Sequence, residues 1–238
     1  RQMCIRDSPT IIDYRKSFLF YPSSDLQNRR IYDGFLKSSE RSVTGMDLRI
    51  EKTRQSIVNA FIALRSRKPL EKITVKELCE KAQINKSTFY FHYADIYELS
   101  DSLETEIVTS IINSLAHPEY MVENPGAFTQ ELFLAYLSRD ALIQTLFSGS
   151  RSGRLIQKIE SSLKKLIYER HPEYQDDPVK NLILSYQIYG AYYAFSENRE
   201  ENVTEVIAVL GRISEELQKL LHEKPLDFSL KTGYTNTR

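Results

Sequence analysis

The stretch that most constrains this 238-residue chain is TVKELCEKAQINKSTFYFHY, at residues 74–93. Thr74 can open a helix with a capping box, because its hydroxyl accepts from the Glu77 amide while the Glu77 carboxylate reaches back to the Thr74 amide. Apolar residues then recur at helical spacing up to about Ala82. The pattern predicts one short amphipathic helix at this point.

A second short helix is predicted after the turn Gln83-Ile84-Asn85. Asn85 is a strong N-cap for a helix over Lys86–His92. The first turn of that helix offers a lysine and two hydroxyls beside free main-chain amides, which suits phosphates and base edges. Phe89 should face the core, and so short a helix cannot bury its other aromatics. The pattern favours a surface that enters a DNA groove, and the open alternative is a solvated helical hairpin.

This segment resembles the amino-terminal domain of the TetR (tetracycline-repressor-like) regulators. In that family an amphipathic helix precedes two short helices, the last close to S-x-x-T-x-Y-x-H-F, and a long fourth helix follows. The corresponding helices here are Asp47–Arg67, Thr74–Ala82 and Lys86–His92, with Asp95 as the cap of the fourth. The resemblance implies that nine positions contact an operator: Thr74, Val75, Lys76, Lys86, Ser87, Thr88, Tyr90, Phe91 and His92.

Two residues depart from the family pattern. Gln83 stands where a glycine is usual, so a residue with a side chain must adopt a left-handed conformation that costs on the order of 1 kcal/mol. Ile96 stands where a lysine often follows the third helix, which removes one expected backbone contact. Neither departure removes the two short helices.

Charge and cysteine usage narrow the possible classes. The formal net charge is zero, so the chain as a whole is not a polyanion binder. Residues 46–98 hold ten Lys and Arg against seven Asp and Glu, a small basic bias of the sign expected for a DNA domain. The two cysteines suggest no disulfide framework, and no apolar run is long enough to predict a transmembrane helix. These features predict a cytoplasmic protein with no membrane partner, and the family resemblance implies a bacterial, nucleoid-associated one.

The sequence gives no support to an enzyme. The segment Gly149–Gly153 approaches the G-x-S-x-G nucleophile motif, but its central residue is Arg151. The four histidines are scattered without metal-ligand spacing, and no glycine-rich phosphate loop is present. We expect no catalytic residues, no cofactor and no metal site.

The predicted fold class is all-α, with a three-helix helix-turn-helix domain at 46–94 and a larger helical domain at 95–223 for ligand binding and dimerisation. Residues 224–238 are expected to form a flexible tail. The chain opens on RQMCIRDS, and Met46 is the expected true start, so that 1–45 would be a non-native or disordered extension. The open alternative is a basic arm that reaches DNA through Arg29, Arg30, Lys37 and Arg41.

The last two predicted helices carry the signal for self-association. Residues 178–196 are apolar on nearly all sides and must be covered on nearly all sides. Residues 202–222 repeat apolar side chains at three-four spacing, like a coiled-coil seam. Pairing with a second copy would form a four-helix interface, and the open alternative is that one chain covers this face itself. The predicted dimer interface is Leu182, Tyr186, Tyr193, Val206, Leu210, Ile213 and Leu217.

The middle helices carry aromatics that suit either a ligand cavity or plain core, and the cavity rests on the family resemblance. Its predicted lining is Leu103, Ile107, Phe128, Phe133, Tyr136, Phe147, Tyr186 and Tyr189. The resemblance implies a ligand-responsive repressor that binds a palindromic double-stranded DNA operator as a homodimer and responds to a small-molecule effector. The alternative is a protein-interaction module, such as a coactivator, that keeps the helix-turn-helix and binds no operator.

Overall fold

The chain is helical throughout the part that the structure describes. The computed structural model describes residues 45–222, with side chains over 48–219, and no β-strand occurs in that range. The predicted all-α class is confirmed for these residues. The described α-helices are α1 Gly45–Arg65, α2 Val75–Ala82, α3 Lys86–His92, α4 Ile96–Asn113, α5 Tyr120–Glu123, α6 Pro125–Leu137, α7 Asp140–Leu146, α8 Arg154–Arg170, α9 Glu173–Asp176, α10 Pro178–Glu197 and α11 Val203–His222.

Two predictions concern the chain ends. The expected extension with its basic arm lies outside the described residues except for Gly45, which begins α1. The expected tail at 224–238 lies wholly outside them. Both stay predictions.

α2 packs against both α1 and α3 and so links the first three helices. Ile57, Val58 and Phe61 form an apolar stripe on α1 and are fully buried. Leu78 of α2 and Phe89 of α3 are fully buried as well, and α1 contacts α2 while α2 contacts α3. Each such side chain contributes about 1.5–3 kcal/mol on burial. Because helices of seven or eight residues are unstable alone, this cluster is what holds α2 and α3 in place.

α4 carries the chain from these short helices into the rest of the fold. The Asp95 carboxylate accepts from the Glu98 amide at 2.8 Å, which confirms the predicted cap. α4 ends at Asn113, where the Ser114 amide makes a tighter 3-10 bond to the Ile111 carbonyl. One side of α4 is fully buried: Leu99, Leu103, Ile107 and Ile111.

A cluster of charged side chains joins α4 to the start of α8. The Glu104 side chain is fully buried, and its two oxygens accept from Arg151 Nε at 2.7 Å and from Arg151 Nη2 at 2.9 Å. Asp101, one turn earlier, pairs with Lys158 at 3.2 Å and with Arg154. Burial opposes ionisation of Asp101, but Lys158 and the two arginines keep its pKa below the usual value. The cluster fixes α8 against α4.

Arg65 makes a second link across the fold. This last residue of α1 is buried and donates to the main-chain carbonyls of Lys68 at 3.3 Å, Leu146 at 3.4 Å and Ser148 at 2.8 Å. The end of α1 is thereby tied to the end of α7, and the described residues belong to one compact unit. The predicted division between residues 94 and 95 stays a prediction.

α11 packs along α6 at close range. A side chain at Gly211 would put its Cβ 3.0 Å from the Gly126 carbonyl oxygen, so a larger residue would require the two helices to move apart by a few tenths of an ångström. The Thr129 and Ser214 hydroxyls lie 2.9 Å apart across the same contact, and Gln218 donates to a main-chain carbonyl of α5 at 3.2 Å. One side of α11 is therefore covered within the chain. Over residues 45–222, no helix combines the length and apolar character needed to span a membrane.

Candidate nucleic-acid interface

The turn between α2 and α3 is built around Gln83, whose backbone is left-handed with φ 56° and ψ 45°. The Ile84 amide donates to the Cys79 carbonyl at 3.0 Å, and the Gln83 amide donates to the Glu80 carbonyl at 3.4 Å. These two bonds form a Schellman motif, which satisfies the last carbonyls of α2. Gln83 therefore occupies the position that favours glycine, as its departure from the family pattern predicted.

We expect Gln83→Gly to stabilise the chain. A left-handed conformation costs a residue with a Cβ about 1–2 kcal/mol, while glycine adds about 0.4–1 kcal/mol of unfolded-state entropy. The net gain is about 0.5–1 kcal/mol in the free energy of unfolding, measured by urea denaturation. Gln83→Ala keeps the Cβ and should leave stability near that of the parent. An equal gain in both variants would contradict the strain at Gln83.

Asn85 organises the start of α3. Its Oδ1 accepts from the Thr88 amide at 2.7 Å, which confirms the predicted N-cap. The same oxygen accepts from the hydroxyls of Ser87 at 2.7 Å and of Thr88 at 2.8 Å. These hydroxyls were predicted to suit phosphates and base edges, but in this structure they donate to Asn85. Unless these hydroxyls rotate, an approaching molecule can use them only as hydrogen-bond acceptors.

The start of α2 is capped by one half of the predicted capping box. Thr74 Oγ1 accepts from the Glu77 amide at 3.3 Å, as predicted. The Glu77 carboxylate pairs with Lys68 and does not reach back to the Thr74 amide. Lys76, next along, keeps most of its side chain in solvent, 3.9 Å from Glu80. The start of α2 therefore presents a hydroxyl-bearing cap and an accessible cation.

α3 separates its aromatics by face. Phe89 is fully buried and Tyr93 nearly so, and these two rings hold the helix against the core. Tyr90 is 55% exposed and Phe91 is 72% exposed. Lys86 lies in solvent one turn before Tyr90. The outward face of α3 thus combines one cation with two aromatic rings on a rigid support.

His92 ends α3 and is half-buried. Burial, and then the nearby Arg54, lower the pKa of His92 below its usual value. Near neutral pH this side chain is therefore an uncharged donor rather than a cation. Its ring meets the Phe91 ring edge-on, with centroids 5.3 Å apart.

The nine predicted DNA contacts fall into two groups by exposure. Six are exposed: Thr74, Lys76, Lys86, Ser87, Tyr90 and Phe91. Three are half-buried: Val75, Thr88 and His92. None of the nine belongs to the buried core, so the folded chain leaves part of each accessible.

The predicted self-association face is largely uncovered on α10. Leu182 is 63% exposed and Tyr186 64%, and Tyr193 is exposed on the same face. Leu184 and Ile188 on the opposite face are buried, since α10 packs there on α8 and α11. Within the described chain, α10 therefore keeps one apolar face covered and one in solvent.

α11 exposes a different set from the one predicted. Ile213 is exposed, while Val206 and Leu217 are half-buried. Leu210 is buried inside the chain, so its assignment to a dimer interface is corrected. Val209, one residue earlier, is exposed in its place. A rotation of 100° per residue along a helix separates these two neighbours, and the apolar pattern alone does not distinguish them.

A cavity of about 70 Å³ lies among the carboxy-terminal helices. Its lining is apolar apart from hydroxyl and amide groups, and no charged side chain contributes. Predicted residues that do line it are Phe128, Phe133 and Tyr136. Sequence reasoning missed the contributions of α8 and α10, although their apolar stripes were visible: Ile156, Ile159, Leu163, Leu184, Gln187, Ile188, Ala191 and Tyr192.

Five predicted lining residues lie elsewhere. Leu103, Ile107 and Phe147 are buried core residues that do not border this cavity. Tyr186 points to solvent on the far side of α10. Tyr189 donates to Glu160 at 2.8 Å at the surface of α8. The cavity is therefore displaced from the predicted position, toward the space that α6, α8 and α10 enclose.

Side chains able to hold a metal do not cluster in the described part of the chain. No protein-family profile, curated protein or solved structure matches this chain.

Proposed function

We propose that this chain is a sequence-specific DNA-binding regulator of the TetR type, which acts as a homodimer on a palindromic operator. The observation that carries the proposal is the outward face of α3. Phe89 anchors the helix in the core, while Lys86, Tyr90 and Phe91 stand in solvent. Exposed aromatic rings beside a cation, on a helix fixed from behind, suit a surface that enters a groove of DNA.

The start of α2 supports the same role. Thr74 and Lys76 are exposed there, where a helix that crosses the sugar-phosphate backbone makes its contacts. Such contacts position α3 and add affinity without reading sequence. Operator binding would then depend steeply on salt, because each neutralised phosphate releases counterions.

A second copy of the chain is the proposed cover for the exposed face of α10 and α11. Leu182, Tyr186 and Ile213 are large apolar side chains left in solvent. Twofold pairing would bury them and would bring two α3 helices to successive major grooves, about 34–36 Å apart. A palindromic operator follows from that symmetry.

The proposed effector is a small neutral molecule that binds among α6, α8 and α10. A charged ligand would lose its hydration in a lining that offers no opposite charge. Ile111 of α4 borders the cavity, so a bound molecule would contact α4, the helix that follows α3. α4 is about 27 Å long, and a tilt of about 5° moves its far end by about 2 Å. The ligand would shift operator affinity only by its differential affinity for the two tilts.

A thermal-shift screen tests the effector. Each neutral compound is compared with the amine and the carboxylate of the same skeleton, and we expect only the neutral members to raise the melting temperature. Ala191→Phe narrows the cavity and should abolish that rise. A charged member that stabilises more than its neutral counterpart would contradict the assignment.

The alternative function is a protein-interaction module without operator binding. Exposed Tyr90 and Phe91 would equally suit an apolar groove of a protein. Selection from a random duplex library separates the two functions. An enriched palindrome supports the regulator, whereas no enrichment supports the interaction module.

The central experiment is the double substitution Lys86→Ala with Tyr90→Ala. Both side chains are exposed, so folding and self-association should be unchanged. We expect affinity for the selected duplex to fall about tenfold to a hundredfold, since contacts of this kind contribute about 1–3 kcal/mol. Fluorescence anisotropy at several salt concentrations measures both the affinity and its salt slope.

The matched control carries Lys165→Ala with Tyr97→Ala. These are the same residue types, both exposed, and both lie outside α2 and α3. Operator affinity should be retained in this control. Equal affinities for the parent, the test variant and the control would remove α3 as the reading element.

A further inference from the structure

Among the exposed large apolar side chains of the described residues, Phe91 has the highest exposed fraction, 72%. It follows Phe89, which is fully buried, by only two residues on a seven-residue helix. The core therefore has no place for the second ring. An exposed phenylalanine on a helix held rigidly from behind presents a fixed apolar surface to whatever approaches α3.

The neighbours of Phe91 are already engaged within the chain. Ser87 and Thr88 lie one turn earlier on the same helix, and their hydroxyls donate to Asn85 at 2.7 Å and 2.8 Å. His92 meets the ring of Phe91 edge-on and is held uncharged by burial near Arg54. At this part of α3 the surface offered outward is chiefly the ring itself.

We propose that Phe91 selects thymine by contact with its 5-methyl group in the major groove. The proposal rests on the proposed function, because it specifies which base the same interface recognises. The major-groove edges of the base pairs carry hydrogen-bond donors and acceptors, and the apolar group among them is the thymine methyl. Against guanine or adenine the ring would cover acceptors and give them no donor, which is unfavourable. Each half-site should therefore contain one thymine under Phe91.

Replacing thymine with uracil tests this contact, since it removes the methyl group and keeps the base pair. Each thymine of the selected duplex is replaced in turn, symmetrically in both half-sites. With the parent protein we expect one position at which each half-site loses about fourfold in affinity, the effect of one buried methyl group. At that position Phe91→Ala should bind the thymine and uracil duplexes equally.

Tyr97→Ala is the control, because Tyr97 is an exposed aromatic at the start of α4 and lies off α3. It should keep the parent's preference for thymine. Circular dichroism and melting temperature check that Phe91→Ala folds, as its exposure leads us to expect. A second readout places 5-methylcytosine opposite guanine at the same position, where the parent should bind it more tightly than cytosine and Phe91→Ala should not.

The outcomes separate the two levels of the proposal. Absence of any duplex binding by the parent overturns the proposed function. Binding that depends on Lys86 but is insensitive to uracil at every position overturns only the assignment of Phe91. Retention of the full thymine preference by Phe91→Ala would also overturn the assignment of Phe91 while leaving the proposed function intact.

Discussion

Glu104→Ala is expected to lower the free energy of unfolding by about 3–5 kcal/mol, or by about a hundredfold to a few thousandfold in the unfolding equilibrium. Glu104 is fully buried on α4, and its two oxygens accept hydrogen bonds from two nitrogens of Arg151. The Arg151 side chain is 12% exposed. Ser100 donates to the same carboxylate at 2.9 Å. Removing the carboxylate replaces the bidentate pair of Arg151 with its longer contact of 3.5 Å to Asp101, in a site that water barely reaches, and that is the source of the loss.

Two comparisons make the Glu104 result specific. Glu169→Ala removes an exposed carboxylate that lies 4.0 Å from Lys165 on α8, and it should cost less than about 1 kcal/mol. Glu104→Met combined with Arg151→Met removes both charges and should recover much of the stability lost by Glu104→Ala. Urea denaturation measures all three. A loss in Glu104→Ala no larger than in Glu169→Ala would contradict the account of a buried ion pair.

Caps and turns were the features that the sequence predicted best. Thr74, Asn85 and Asp95 each accept the main-chain amide three residues later, and Gln83 adopts the left-handed turn. These outcomes depend on residues within one helical turn, so the local sequence contains the needed information. The buried stripes of α1 and α4 also follow local sequence, because only one face of each helix is apolar enough to pack.

Several predictions were wrong because residues distant in the sequence decide which contacts a side chain makes. Glu77 was expected to close the capping box, but Lys68, nine residues earlier, pairs with its carboxylate. Leu210 and Val209 are equally apolar, and only the packing of α11 on its neighbours decides which one is buried. The side chains that line the cavity depend likewise on how α6, α8 and α10 cross. Helix periodicity gives the apolar face of each element but not the neighbour that covers it.

Ile213→Asp is expected to convert a dimer into a monomer and to weaken operator binding by about a hundredfold or more. Ile213 lies on the exposed apolar face of α11, and twofold pairing would bury an unpaired carboxylate there from each copy. A monomer holds one α3, so it loses the gain of about 10²–10⁴ that linking two binding modules provides. Sedimentation velocity gives the mass, and anisotropy on the selected palindrome gives the affinity.

Ala208→Asp is the matched control for this substitution. Ala208 is exposed on the same helix but lies about 140° around the axis from Ile213, on the flank that carries Thr204 and Arg212. This variant introduces the same charge and should keep both the dimer and its affinity. A parent chain that is monomeric at every concentration would contradict the pairing, and so would a dimeric Ile213→Asp. If Ile213→Asp is monomeric yet binds the palindrome as tightly as the parent, the two α3 helices do not act together, and the twofold geometry proposed for the operator is wrong.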